Sequence, residues 1–154
     1  MPHFDEVDRA LLTLLQKDAR RTNKELAEAV GVAQSTCLER IRNLRARGVI
    51  TGYRAEVDPA AVGRSIRALI SVRLRPKTTA SVRAFQCDIL AQPETLSVFT
   101  VSGADDFVVE VAVPDVMHLR DFILDRITSR KDVVDAHSSI VYEQVRAPVI
   151  EPLP

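Results

Sequence analysis

The chain changes its hydrophobic period once. In its first third apolar residues recur at helical spacing, and beyond about residue 65 they fall at every second position. Val7, Ala10, Leu11, Leu14 and Leu15 form a helical stripe behind Asp5, which is placed to cap the helix they define. Thr22 and Glu25 have capping-box spacing, so a second helix starts at Asn23, carries Leu26, Ala27 and Val30 on one side, and ends at Gly31. A third begins near Gln34. At about 100° per residue, Cys37, Ile41 and Leu44 share a narrow arc facing the core, while Ser35, Thr36, Glu39, Arg42 and Asn43 point away. It stops at Gly48, before the strand-like Val49-Ile50-Thr51-Gly52-Tyr53, which suits a small wing. The bundle core predicted from these stripes is Val7, Leu11, Leu14, Leu15, Leu26, Val30, Cys37, Ile41 and Leu44. At about fifty residues such a bundle is marginal alone.

The Pro and Gly punctuation of residues 57–63 marks a linker, after which positions 66, 68, 70, 72 and 74 are apolar with arginines opposite, the pattern of a half-buried strand. A helix over 79–91 places Val82, Phe85, Ile89 and Leu90 on one face. Strands follow over Leu96–Ser102 and Phe107–Val113. Asp115 then caps a helix carrying Val116, Leu119, Phe122, Ile123 and Ile127, and a last strand runs from about Val133 to Val145. The predicted fold class is α+β: a winged three-helix helix-turn-helix domain (1–52), a linker strand or hinge (53–64), and a ferredoxin-like βαββαβ sandwich (65–154) with both helices on one sheet face. Val108, Val109, Val111, Ala112 and Val113 are apolar on both sides of their strand, which implies that the second sheet face is covered by another copy.

The 154 residues are 46% apolar and 27% charged, which excludes disordered and collagen-like classes. Absence of a long apolar run and an acidic start, MPHFDEVDR, point to a cytoplasmic protein. Cys37 and Cys87 both lie on predicted apolar helix faces and are expected to be buried free thiols. Net charge is zero, but it is segregated. Residues 1–63 carry ten basic and nine acidic groups, 64–77 five and none, and 78–154 six and twelve. Local phosphate binding is therefore compatible with a neutral sum.

Two readings of the helix pair are open. An arginine-rich amphipathic helix is often only a solvated surface; it is also what a major-groove reader looks like. On the second reading Gln34, Ser35, Thr36, Glu39, Arg42 and Asn43 meet base edges, and Thr22, Arg40, Arg45, Arg47 and Arg54 contribute backbone contacts.

FDEVDRALLTLLQKDAR, ELAEAVGVAQSTCLERIRNLRARGVITGY, VSGADDF and HSSIVYEQV, in that order, resemble the Lrp/AsnC (leucine-responsive, feast/famine) family of prokaryotic transcription regulators over nearly the whole chain. The resemblance implies a DNA-binding N-terminal domain and a C-terminal domain that binds amino-acid effectors, with dimers assembling into tetramers or octamers. It places the effector between dimers near the middle turn and the last strand, at Gly103, Ala104, Asp105, Asp106, His137, Ser138 and Ser139. Asp105 or Asp106 would accept from the ammonium; backbone amides or a serine hydroxyl would donate to the carboxylate. From spacing alone, Gly103 to Asp106 also reads as a plain tight hairpin. Two departures stand out: Ala33 replaces the family's usual capping Ser, and Ala104 and Asp105 interrupt a Gly, Asp, aromatic, Asp turn.

The expected function is a sequence-specific DNA-binding, nucleoid-associated regulator of amino-acid metabolism or transport, switched by an amino acid. An effector-independent architectural DNA-compacting protein is the alternative. An enzyme is disfavoured: His3, His118 and His137 are scattered, and neither a metal-ligand spacing, a cysteine motif nor a phosphate loop is present, so no metal or cofactor is expected.

Overall fold

The computed structural model describes residues 4–153, and His3 lies outside them. The chain divides into two compact units. One ends at Ala55 and also takes in the segment from Val145 onward; the other spans Glu56–Gln144. The C-terminal segment thus belongs to the first unit, whereas its position in the sequence assigned it to the sandwich.

The first unit holds α1 (Glu6–Lys17), α2 (Asn23–Val30) and α3 (Gln34–Ala46). Asp5 caps α1 by accepting from the Asp8 amide. Both halves of the capping box at α2 form: the Thr22 hydroxyl accepts from the Glu25 amide, and the Glu25 carboxylate accepts from the Thr22 amide at 2.7 Å. Gly31 ends α2 at φ 71°, a left-handed conformation that costs a glycine little. Leu11, Leu15, Leu26, Ala27 and Cys37 form the core, with Val7, Leu14, Val30, Val32, Ile41 and Ile50 packed around it. Leu44 is also buried. No strand forms directly after α3. The Val49 and Ile50 amides both donate to the Leu44 carbonyl, Ile50 packs on the bundle, and residues 51–58 are exposed without regular structure. The expected wing is not formed because, among the described residues, this unit offers no second strand to pair with it.

The second unit is built on β1 (Ile66–Leu74), α4 (Thr79–Leu90), β2 (Thr95–Thr100), β3 (Phe107–Val113), α5 (Val116–Phe122) and β4 (Val133–Ile140). All pairings are antiparallel, in the order β2-β3-β1-β4, which is the ferredoxin-like arrangement. Central β1 is hydrogen-bonded on both sides. Ala68, Ile70, Val72 and Leu74 from its inner face meet Phe85 and Ile89 of α4 and Leu119 and Phe122 of α5 in one core, where the Phe85 and Phe107 rings stack at 4.6 Å. α5 continues as one wider, π-type stretch over Ile123–Thr128, which brings Ile127 into the same core.

Three expectations fail locally. Cys37 is buried but Cys87 is exposed, because it lies two residues, about 200° of helix, from both Phe85 and Ile89. Leu90 and Val116 sit outside the core at the rims of their helices. The last strand ends at Ile140, after which the Val141 amide still donates to the Arg67 carbonyl of β1 and the Gln144 side chain accepts from the Arg67 guanidinium.

Ala33 occupies the cap position of α3 in extended conformation, with no side-chain hydrogen bond to the first turn. Ala33→Ser is expected to stabilise by about 0.5–2 kcal/mol. Thermal unfolding should show a rise of a few degrees, on the order of 4–8 °C per kcal/mol for a unit this small, with no loss of DNA binding.

Candidate functional site

Burying Cys37 and Leu44 turns the opposite side of α3 to solvent. Among the described residues, the side chains of Gln34, Ser35, Thr36, Glu39, Arg42, Asn43 and Arg45 are exposed and make no hydrogen bond or ion pair within the protein. They form a row of donors and acceptors on a helix whose first turn is pinned by Asn23, which donates to the Gln34 carbonyl at 2.9 Å. Such a row suits base edges, and Arg42 and Arg45 extend it with full positive charge.

Arg40 differs from the phosphate-contacting role expected for it. Its guanidinium donates to Asp5 at 2.6 Å and to Asp8 at 2.9 Å, so it ties α3 to the start of α1. The Asp8 amide and then Arg40 hold the Asp5 carboxyl below its ordinary range. The Arg47 guanidinium lies 5.0 Å from the centre of the Phe4 ring, a cation–π contact that fixes its position next to α1. Asp8, Thr36, Glu39, Arg40, Asn43 and Arg47 together line a shallow cleft between α1 and α3. Thr22 is occupied in capping α2, and Arg54 is exposed beyond the bundle. The partners of Arg40 lie more than thirty residues away, and only the tertiary fold brings them together; the one signal in the sequence was the acidic first turn of α1.

The turn between β2 and β3 is shaped by Asp106. Its amide donates to the Val72 carbonyl, its carbonyl accepts from the Val101 amide, and its carboxylate accepts from the Leu74 amide at 2.8 Å. Lys77 pairs with the other carboxylate oxygen at 2.5 Å. The β1–β3 ladder stops at Val72–Phe107, so this side chain takes over the pairing of the next free amide on β1. Asp106 is only 6% exposed, and Lys77 and the Leu74 amide hold its carboxyl below the usual carboxylate range. It is a structural residue, not an open acceptor for a ligand ammonium as the sequence suggested. Gly103 adopts φ 125°, which only glycine takes without strain.

Asp105 instead lies on the open face of the sheet, with His137 Nε2 3.9 Å from its carboxylate. Strand register sorts the remaining candidates. His137 pairs with Ser71 and Ser139 with Leu69, on the open face, whereas Ser138 pairs with Ile70 on the helix side. The structure therefore brings Asp105, His137 and Ser139 to one face and separates Ser138 from them. The same face carries the Arg67–Glu110 and Arg73–Asp135 ion pairs, the Ser97–Glu110 hydrogen bond, and exposed Leu69 and Phe99.

A three-helix DNA-reading unit joined to a ferredoxin-like unit with an open face defines a class: a helix-turn-helix regulator with a separate ligand-binding domain. The AsnC-type helix-turn-helix domain matches residues 4–45, and the Lrp/AsnC ligand binding domain matches residues 67–148. The chain is 39% identical over 143 residues to the HTH-type transcriptional regulator AldR of Mycolicibacterium smegmatis, covering 93% of this chain and 84% of that protein. It is 33% identical to the leucine-responsive regulatory protein of Rhizobium meliloti, covering 93% and 92%. Among solved structures it is similar to the Neisseria meningitidis transcriptional regulator NMB0573 in complex with L-Met, with a TM-score of 0.86, 31% identity, and 99% and 97% of the two chains covered. The chain belongs to the Lrp/AsnC family; it is a DNA-binding transcription regulator with a ligand-binding domain, not an enzyme. No described helix is long and apolar enough to cross a membrane.

Two variants separate structural from functional charges. Arg40→Ala should lower the melting temperature yet leave the salt slope of DNA binding unchanged, since its charge is already neutralised within the unit. Asp106→Asn keeps an acceptor for Leu74 but loses the charge that binds Lys77. Because folding depresses the Asp106 pKa, its contribution is full above the unfolded value of about 3.9 and is lost as pH falls through the lower, folded value. Acid titration of the melting temperature should therefore fall less steeply below about pH 4 for Asp106→Asn than for the parent. Equal slopes would show that Asp106 is not charge-paired in solution.

Proposed function

We propose that the protein is a sequence-specific regulator of amino-acid metabolism or transport whose DNA binding is modulated by an α-amino acid held on the C-terminal unit. The observation that carries the DNA half is the unpartnered polar row on α3, Gln34, Ser35, Thr36, Glu39, Arg42 and Asn43, flanked by Arg45 and Arg47. Arg54 completes the backbone contacts, while the Thr22 hydroxyl is spent in capping α2. For the effector, the L-Met complex of the Neisseria meningitidis relative supports the amino-acid class. In this chain Asp105 supplies the ammonium acceptor, and the Gly103 and Ala104 amides with the Ser139 hydroxyl supply carboxylate donors. His137 flanks them, and Ser138, on the other face, serves only if the edge strand is approached from its rim. No cofactor enters this scheme.

The open sheet face is the surface through which two chains pair. Leu69, Phe99 and Val108 give it an apolar centre, and the Arg67–Glu110 and Arg73–Asp135 pairs give it a neutralised surround. A two-fold pair of α3 helices then matches a palindromic operator, and further assembly to a tetramer or octamer brings the rim of that face, where edge strand β4 and the β2–β3 turn carry the effector residues, between dimers. The protein works in the cytoplasm on nucleoid DNA.

Two measurements test the halves independently. Arg42→Ala and Glu39→Ala should change preference among operator variants, while Arg45→Ala should weaken specific and random DNA alike and reduce the salt slope by about one. Equal losses on all sequences from all three variants would reject the base-reading assignment. Calorimetric titration with the twenty amino acids should find at least one ligand that Asp105→Ala weakens about tenfold or more, the loss of a charge-assisted hydrogen bond. Binding that survives Asp105→Ala unchanged would remove this turn from the site.

A further inference from the structure

α1 has a second apolar edge that the bundle does not use. Leu12 is 8% exposed, yet it is not part of the core formed by Leu11, Leu15, Leu26, Ala27 and Cys37. It lines a cleft walled by α1, by the chain after α3 and by the C-terminal residues Ile150, Glu151 and Pro152. These last residues are held by their backbone. The Gln16 side chain donates to the Ile150 carbonyl at 3.0 Å and accepts from the Ile150 amide at 2.8 Å. Arg9 donates to the Pro152 carbonyl at 3.0 Å.

A primary amide presents an N–H donor and a carbonyl acceptor side by side, so a single glutamine can satisfy a peptide unit as a neighbouring strand would. The segment APVIEPLP suits such a partner. Its prolines favour an extended left-handed helix with three residues per turn, which puts Val149 and Pro152 on one side. Both are half-buried, while Ile150 and Glu151 between them are exposed. A pre-extended segment also loses little entropy on docking.

We propose that this edge of α1 is a peptide-docking site for a short extended proline-containing segment, that its occupant is the chain's own residues 149–152, and that the docked segment latches the DNA-binding unit. A bundle of about fifty residues gains from covering Leu12 what its own core does not supply. The latch segment leaves the effector-binding unit at Gln144, so its docking is a covalently tethered event.

The test uses full-length chains. Gln16→Leu removes both contacts to Ile150 and should accelerate hydrogen exchange of the Ile150 amide by about tenfold or more. Ile150→Pro removes the segment's donor without touching the bundle and frees the site. A labelled peptide of residues 145–154 should then bind saturably to the Ile150→Pro chain and about tenfold more weakly to a chain carrying Gln16→Leu as well. Unchanged exchange at Ile150 in Gln16→Leu, no saturable binding of the peptide, or equal binding to the two chains would each overturn the latch.

Discussion

The rotation of α3 about its own axis is the constraint on which the proposed DNA-reading surface depends. Cys37 and Leu44 are essentially inaccessible to solvent and fix which side of the helix faces α1 and α2. Burial of one such aliphatic side chain is worth about 1.5–3 kcal/mol. Turning the helix over would instead bury Arg42 or Arg45 without a partner, at a cost of several kcal/mol per charge. The free polar row is thus a consequence of core packing. Asn23 at the first turn and Arg40 in the middle then remove the remaining freedom, one through a carbonyl of α3 and the other through two acids of α1.

The second unit follows the same logic with a period of two. Ala68, Ile70, Val72 and Leu74 must face the helices, so Arg67, Leu69, Ser71 and Arg73 must face outward, and register carries that choice to both neighbours of β1. Asp106 extends the ladder by one bond through its side chain and closes the turn against Lys77. Its neighbour Asp105 is aimed at the open face as a result. Two adjacent carboxylates therefore have different surroundings: one is consumed in building the turn, and the other faces the open side of the sheet beside His137.

Much of this was legible in the sequence. Caps at Asp5, Thr22 and Asp115, the stop at Gly31, and the alternation of β1 are local signals, and each element they imply exists within a residue or two. Most of the buried set of the bundle follows from helical spacing, Leu12 excepted, as does the exposed row on α3. Contacts between distant residues were not legible. Arg40 looked like one of five equivalent arginines; Asp105 and Asp106 looked like equal candidates for a ligand; Ser138 and Ser139 looked interchangeable; and the C-terminal segment looked like part of the sandwich.

What the sequence by itself determined is therefore the elements, their inward faces, the class of fold and the family. Those depend on periodicity and capping within a few residues of chain. Tertiary structure alone decided how individual polar groups are used, because a charge is free or spent according to what lies within about 3 Å of it. Asp5 and Asp8 reach Arg40 across more than thirty residues, the Leu74 amide reaches Asp106 across a similar gap, and Gln16 meets Ile150 from the far end of the chain.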